Sequence, residues 1–349
     1  MRRRDFNSLL AAAPAASGAE RAQLERTPEK PMLNVVLITA DHLRWNHLGV
    51  NGNPYIHTPR MDALARSGAR FTMAQTVGVA CAPNRASMFT GRYPHSHGLM
   101  ENGVKMPESE VSITRVLRGN GYYAGQMGKL HFWPHSRRNH REPFPPYDFN
   151  QLRLADEPGC YDDAFGLWLD AQGPEVRRKA RVAMPADRGK FDHYVFAGDE
   201  NTTFSHWVAS ETVRFINEVK DRPFFVHAGF YAPHPPLNPP AAMLALYKNA
   251  ELPPRIYRDD EAQYAPASLQ KPLTALRGTP EDTWTDYRRY FYAMVSELDR
   301  NVGRILDTLD SAGIRNNTIV VITSDHGDYL GDHNLNAKSD FPYDGAMRV

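Results

Sequence analysis

Cys81-Ala82-Pro83-Asn84-Arg85 places a thiol two residues before a proline and four before an arginine. An apolar helical pattern follows through Ala86, Met88 and Phe89 and stops at Gly91. Proline is tolerated in the first turn of a helix, where its missing N–H costs nothing, and glycine is a common stop. This spacing puts Cys81 just before a helix N-terminus. Free backbone N–H groups and the positive end of the helix dipole meet there and favour an anion. Arg85, one turn in, can point back at the same anion, and a thiol in that field tends toward thiolate. The competing reading is a small buried hydrophobe ahead of an ordinary helix.

Other reactive residue types cluster where apolar runs end. Residues 34–40 run into Asp41-His42, and residues 121–127 into Gly128-Lys129-Leu130-His131. Residues 223–230 lead to His234, held among Pro233, Pro235 and Pro236, which limits its freedom and suits positioned acid/base work. Residues 317–324 end in Asp325-His326-Gly327-Asp328, with Lys338 in the next loop. Lys129 and His131 fall on one side if their strand continues, by the period of two. Carboxylates with a histidine make a divalent metal site, and oxygen-rich ligation favours Ca²⁺, Mg²⁺ or Mn²⁺ over zinc. The lysines and Arg85 surround a further anion. A metal, cations and histidines suit transfer of a sulfuryl or phosphoryl group, clamping peripheral oxygens and protonating the leaving one.

These residues share a site only if the apolar runs are parallel strands of one sheet, since ligands bind outside the carboxyl ends of such strands. Residues 34–40, short and β-branched, read as a buried parallel strand, and 121–127, 223–230 and 317–324 as its neighbours. Residues 70–74 read as a further strand leading toward Cys81. Helices are predicted over 58–68, with Thr58 as cap and Pro59 at the first position, and over 111–117, 204–216 and 287–309. The fold class is α/β, a mostly parallel central sheet sandwiched by helices. Residues 134–200 and 238–280 read as irregular insertions that line or cover a pocket.

The 349 residues are 42% hydrophobic and 23% charged, with net charge +1. That balance fits a globular chain and gives no reason to expect a nucleic-acid partner. No apolar run approaches the roughly 20 residues of a membrane span. Cys81 and Cys160, the two cysteines, cannot make a disulfide framework or a Cys-rich zinc site. Residues 1–30 stand outside the fold as a disordered leader. Their paired arginines, Phe6 and small-residue apolar stretch are those of either a twin-arginine export signal or a plain basic leader. The first would place the protein in the periplasm or outside the cell, the second in the cytoplasm.

From Asn34 onward the chain resembles the sulfatase family of the alkaline phosphatase-like superfamily. Cys81-Ala82-Pro83-Asn84-Arg85 is similar to its C-x-P-x-R signature and continues into Thr90-Gly91-Arg92. The resemblance implies an alkaline phosphatase-like catalytic domain over 31–349. It implies a sulfuric ester hydrolase that acts on a small-molecule or carbohydrate sulfate ester. A maturation enzyme would oxidise Cys81 to formylglycine, whose hydrated aldehyde is the family's nucleophile. It implies Asp41, Asp325 and His326 as metal ligands, with an oxygen from modified Cys81, and Ca²⁺ as the ion ahead of Mn²⁺ or Mg²⁺. Arg85 and Lys129 match groups that hold the formylglycine, and His131 the histidine that helps eliminate sulfate. His234 and Lys338 match substrate-oxygen contacts, with His234 a candidate acid, and Asn102 lies where some relatives place an active-site amide.

The pattern departs from the family at His42, where many members have a second aspartate, at Asn84, and at His326 after Asp325. His326 is shared with some sulfatases and with the related phosphonate monoester hydrolases, so a phosphonate monoester or phosphodiester hydrolase is the alternative; Lys129 and His131 argue for the sulfatase side. The family continues into a further strand and a smaller C-terminal subdomain, so the resemblance reads this chain as truncated. An inactive fragment or binding module is therefore a third expectation.

Overall fold

The computed structural model describes residues 32–134, 144–157, 163–180, 191–338 and 341–349. The N-terminal leader and Cys160 lie outside the described residues. Apolar stretches form one five-stranded sheet: β1 (Asn34–Ala40), β2 (Tyr123–Gly128), β3 (Gln151–Leu154), β4 (Phe224–Gly229) and β5 (Thr318–Ser324). The strands lie in the order β3-β2-β4-β1-β5, and every pairing is parallel. Register aligns their carboxyl ends: Ala40 pairs with Ser324, Thr39 with Gly229, and Gly128 with Gly229. The residues that follow β1, β2, β4 and β5 therefore leave the sheet along one edge.

Alternation along the strands divides the core in two. Val36, Ile38 and Ala40 of β1 join the larger apolar cluster, with Val208 and Phe215 of α4 (Phe204–Val219) and Phe291, Leu298 and Ile305 of α5 (Glu281–Ser311). Val35 and Leu37 face the other cluster, with Ala86 and Phe89 of α2 (Cys81–Thr90) and Leu117 of α3 (Ile113–Gly119). Phe225 and its neighbours Phe224 and Val226 on β4 split the same way. Helices thus cover both faces, as expected of parallel strands with apolar residues on each side. Burial of each large apolar side chain contributes about 1.5–3 kcal/mol.

Several local expectations are corrected. Residues 70–74 form no strand; Phe71 and Met73 are 77% and 66% exposed, and pairing is limited to a bridge from Gln75 to Arg348. An alternating pattern without a neighbouring edge to bond is not a strand. β3 lies inside the segment read as irregular. Helix α1 (Pro59–Arg66) is not capped by Thr58, which instead donates its hydroxyl to Asp62. Asp299 of α5 takes the N–H groups of Arg60 and Met61 at 3.1 and 2.7 Å, satisfying the open end of α1 from across the core.

Candidate active site

Cys81 is the first residue of α2, one position further into the helix than its spacing predicts. Ala80 offers no side-chain cap; Asn102 supplies one, accepting the N–H of Ala82 at 3.0 Å. At the other end Gly91 adopts φ 65° and accepts the turn out of the helix. Asn84 locks the helix to β5 through its amide, which donates to Gly78 O and Asp325 O at 2.8 and 2.7 Å. That is the use of the position where the signature departs from the family pattern.

The thiol is buried among the strand ends. Sγ lies 3.1 Å from His326 Nε2 and 3.6 Å from Asp41 Oδ1, and Lys338 Nζ donates to it. The expected thiolate does not follow. Burial, then the Asp41 charge, push the Cys81 thiol up to about 11, outweighing the pull of Lys338 and Lys129.

Asp41 is fully buried at the end of β1. Its Oδ2 lies 2.5 Å from Lys129 Nζ and 3.7 Å from Arg85 Nη2. Burial pushes its carboxyl up, but Lys129, His234, Lys338 and Arg85 outweigh it and hold Asp41 well below the usual carboxylate range. Arg85 donates Nε–H to Asp325 Oδ2 at 2.7 Å. Its Nη1 bonds Lys129 O at 3.2 Å and Thr39 Oγ1 at 3.4 Å.

The turn after β2 differs from the extended form expected. β2 ends at Gly128, with φ 87°, where an added Cβ would meet Gly229 O at 2.2 Å. Glycine permits both the conformation and the approach. Asp156 Oδ1 then accepts the N–H groups of Leu130 and His131 at 2.9 and 2.8 Å, and His131 has φ 61°. Lys129 is delivered to Asp41 by this turn and not by strand alternation; His131 is buried two residues on.

Four ligand-type residues, Asp41, His42, Cys81 and His326, offer donor atoms within 4.8 Å of one another, all buried. The structure adds His42 to the predicted set, whereas Asp325 stands at its margin. Asp325 Oδ1 is 3.9 Å from His326 Nε2 and accepts the His326 N–H at 3.0 Å. His234 packs edge-on to His42, ring centroids 4.3 Å apart, and its Nδ1 bonds Pro235 O at 2.5 Å. Burial first, then neighbouring charge, hold the imidazoles of His42 and His234 well below the usual range, so they rest neutral.

A sulfatase family model matches residues 33–349. The chain belongs to the sulfatase family. An arylsulfatase of Clostridium perfringens is 30% identical over 327 residues, covering 90% of this chain and 67% of that protein. An ulvan-active sulfatase of Formosa agariphila is 28% identical, covering 92% and 55%. Among solved structures, a phosphonate monoester hydrolase of Agrobacterium radiobacter superposes with a TM-score of 0.75 at 27% identity, covering 90% of this chain and 66% of that one. The chain thus spans between about half and two thirds of these relatives' length. Its fold is the alkaline phosphatase-like one expected.

Two buried acids of this sulfatase-family site escaped the sequence reading. Asp328 accepts the Nδ1–H of His42 at 2.7 Å, and Asp156 shapes the Lys129 turn. Asp328 had a signal, an acid four residues past the end of β5 and two after a histidine. Asp156, in a segment read as irregular, had none.

Proposed function

We propose that this domain hydrolyses a sulfate ester to an alcohol and inorganic sulfate, with Cys81 as the precursor of the nucleophile. The observation that carries the reading is Cys81 at the start of α2, with Lys338, His326 and Asp41 converging on its sulfur. A maturation enzyme would convert Cys81 to formylglycine, whose hydrate presents an oxygen nucleophile where Sγ now lies. The relatives named for aryl and ulvan sulfates support an aryl or carbohydrate ester as substrate.

The donor set fits a divalent metal. Asp41, His326 and the residue-81 oxygen would hold it, with Asp325 adjoining, and when bound it supplies positive charge to the reacting oxygens. The chain's own groups do the rest. Arg85 and Lys129 fix the Asp41 and Asp325 carboxylates and hold the residue-81 side chain between them. Lys338 places an ammonium against the incoming sulfuryl oxygens, where a buried cation stabilises developing charge. His234 gives its Nδ1–H to Pro235 O and so rests with a lone pair on Nε2; as the acid it would first take up a proton at Nε2 and then deliver it to the leaving oxygen. His131 assists elimination of sulfate, and Asn102 contacts substrate beside the helix end it caps.

The test is sulfate release from an aryl sulfate by protein coexpressed with a formylglycine-generating enzyme. Cys81→Ala is expected to lower the rate by about 10³-fold or more; an unchanged rate would overturn the mechanism. A second reading, phosphonate monoester hydrolysis, is favoured by the likeness to the Agrobacterium enzyme. Matched phenyl sulfate and phenyl phosphonate esters decide between them: a larger kcat/KM on the phosphonate would replace the first reading with the second.

A further inference from the structure

We infer that His42 is a metal ligand through Nε2, oriented by Asp328, and that it gives this site a preference for a first-row transition ion over Ca²⁺. The inference rests on the metal reading above and deepens it. It revises the oxygen-rich assignment that favoured Ca²⁺.

Three observations carry it. The first is the tautomer of two imidazoles. His42 Nδ1 is 2.7 Å from Asp328 Oδ2, and His326 Nδ1 is 2.8 Å from Gly327 O. Both partners are acceptors, so both rings carry their proton on Nδ1 and leave a lone pair on Nε2. A carboxylate or carbonyl behind a histidine is the arrangement that orients an imidazole toward a metal and raises its basicity.

The second is where those lone pairs point. His326 Nε2 lies 3.6 Å and His42 Nε2 3.9 Å from the same oxygen, Asp41 Oδ1. Within the buried cluster His42 Nε2 has no hydrogen-bond partner, whereas His326 Nε2 has Lys338 Nζ at 3.2 Å. A buried imidazole nitrogen left without a partner costs free energy unless something occupies it. A cation between His42, His326 and Asp41 would satisfy it.

The third is the backbone. His42 has φ 70°, in the left-handed region that a non-glycine residue seldom adopts. Such conformations are strained and persist where the surroundings enforce them. Here the turn swings the ring into the site. The bond to Asp328 and the edge-on contacts with His234 and His326 at 4.3 and 4.4 Å fix it there.

The resulting set is two neutral imidazoles and the Asp41 carboxylate, with Asp325 adjoining. Ca²⁺ requires six to eight oxygen ligands, and two nitrogens displace two of them. Imidazole suits the first-row transition ions, for which affinity rises along the Irving–Williams order.

The experiment measures metal binding, not turnover. Calorimetry compares Mn²⁺ with Ca²⁺ on the full chain and on Cys81→Ser, which removes the thiol's own taste for soft ions. Mn²⁺ is expected to bind at least about tenfold more tightly than Ca²⁺ in both. Pulsed EPR of bound Mn²⁺ should show two directly coordinated imidazole nitrogens. His42→Asp should reduce these to one and lower the Mn²⁺-to-Ca²⁺ preference about tenfold or more. Asp328→Asn should weaken Mn²⁺ binding about 10–100-fold. Ca²⁺ binding as tightly as Mn²⁺, or a single coupled nitrogen in the unsubstituted chain, overturns the role of His42 and leaves the wider metal reading standing. Binding of neither ion overturns both. The nitrogen count on the unsubstituted chain needs no variant to fold.

Discussion

Two sets of buried carboxylates show what distinguishes the strand-end site from the core beside it. Asp41 at the end of β1 is 0% exposed, and Glu297 and Asp299 on α5 are each 2% exposed. Their carboxyls move in opposite directions. Burial would raise Asp41, but Lys129, His234, Lys338 and Arg85 keep it well below the usual range. Burial raises Glu297 to about 7, against the partial relief of the Thr203 and Ser205 hydroxyls and the Arg300 charge. It raises Asp299 to about 6, although two backbone N–H groups bond it. Equal burial therefore does not give equal chemistry. The sheet edge keeps a buried negative charge because cations from three elements converge on it, while α5 meets the same desolvation with hydroxyls and amides.

Removing the nearest cation is the most direct way to break this contrast. Lys129→Met leaves the Asp41 carboxylate buried with Arg85 Nη2 at 3.7 Å as its remaining short-range ion pair with a lysine or arginine among the described residues. Taking one partner from a buried pair costs about 3–5 kcal/mol, chiefly from the charge left behind. Chemical denaturation should show a loss of that order in Lys129→Met, and a smaller one when Asp41→Asn is added. Turnover of an aryl sulfate should fall by about 10³-fold, as expected when a group that fixes the charged centre is lost. Parent-like stability for Lys129→Met would mean that the pair is not what holds the buried charge.

The contrast was only half legible in the sequence. β1 was read residue for residue, because an unbroken β-branched run has no helical alternative at that length. Asp41, Lys129, Asp325 and His326 were read from their positions after strands, and Cys81 and Arg85 from their places about a helix start. β3 was missed: Gln151–Leu154 is four residues long, and its Arg153 bonds Glu211 of α4, so composition gave no strand signal. Asp328 had only its place after β5 and Asp156 had no signal, because what each does, orienting a neighbour, needs a distance in space. The cap of α1 shows the same limit. Thr58 has the right type and place, yet Asp299, 238 residues from Met61, holds the helix end. Local propensity named a plausible cap, and tertiary packing supplied a carboxylate.

Glu297 allows the contrast to be sharpened from the other side. With its carboxyl raised to about 7 in the folded chain against about 4.5 unfolded, the native state binds more protons between those values. Its contribution to stability is therefore greatest below pH 4.5, falls as pH rises toward 7 and is flat above. Glu297→Gln removes the ionisation and keeps polar atoms for Thr203 and Ser205. Unfolding free energy at pH 8 should rise by about 2–3 kcal/mol relative to the parent, with little difference at pH 4.5 and unchanged turnover. A variant that gains nothing at pH 8 would show that the buried carboxylate is better solvated than its surroundings indicate.

Asp299 gives the smallest and most discriminating effect, because its charge has a use. Its carboxyl, raised by burial to about 6, also weakens the fold as pH rises toward that value. Yet its two oxygens separately accept Arg60 N–H and Met61 N–H. Asp299→Asn relieves the buried charge but leaves one acceptor oxygen for two donors. The relief and the lost bond to a helix end, worth about 1–2 kcal/mol, oppose each other. Stability at pH 8 should change by less than about 1 kcal/mol, while hydrogen exchange at the Arg60 or Met61 amide quickens. A gain equal to that of Glu297→Gln, with both amides still protected, would mean that the second bond contributes nothing and that α1 is held by packing alone. Near-neutral stability with a loosened α1 would instead show that α5 tolerates a costly carboxylate because it caps a helix.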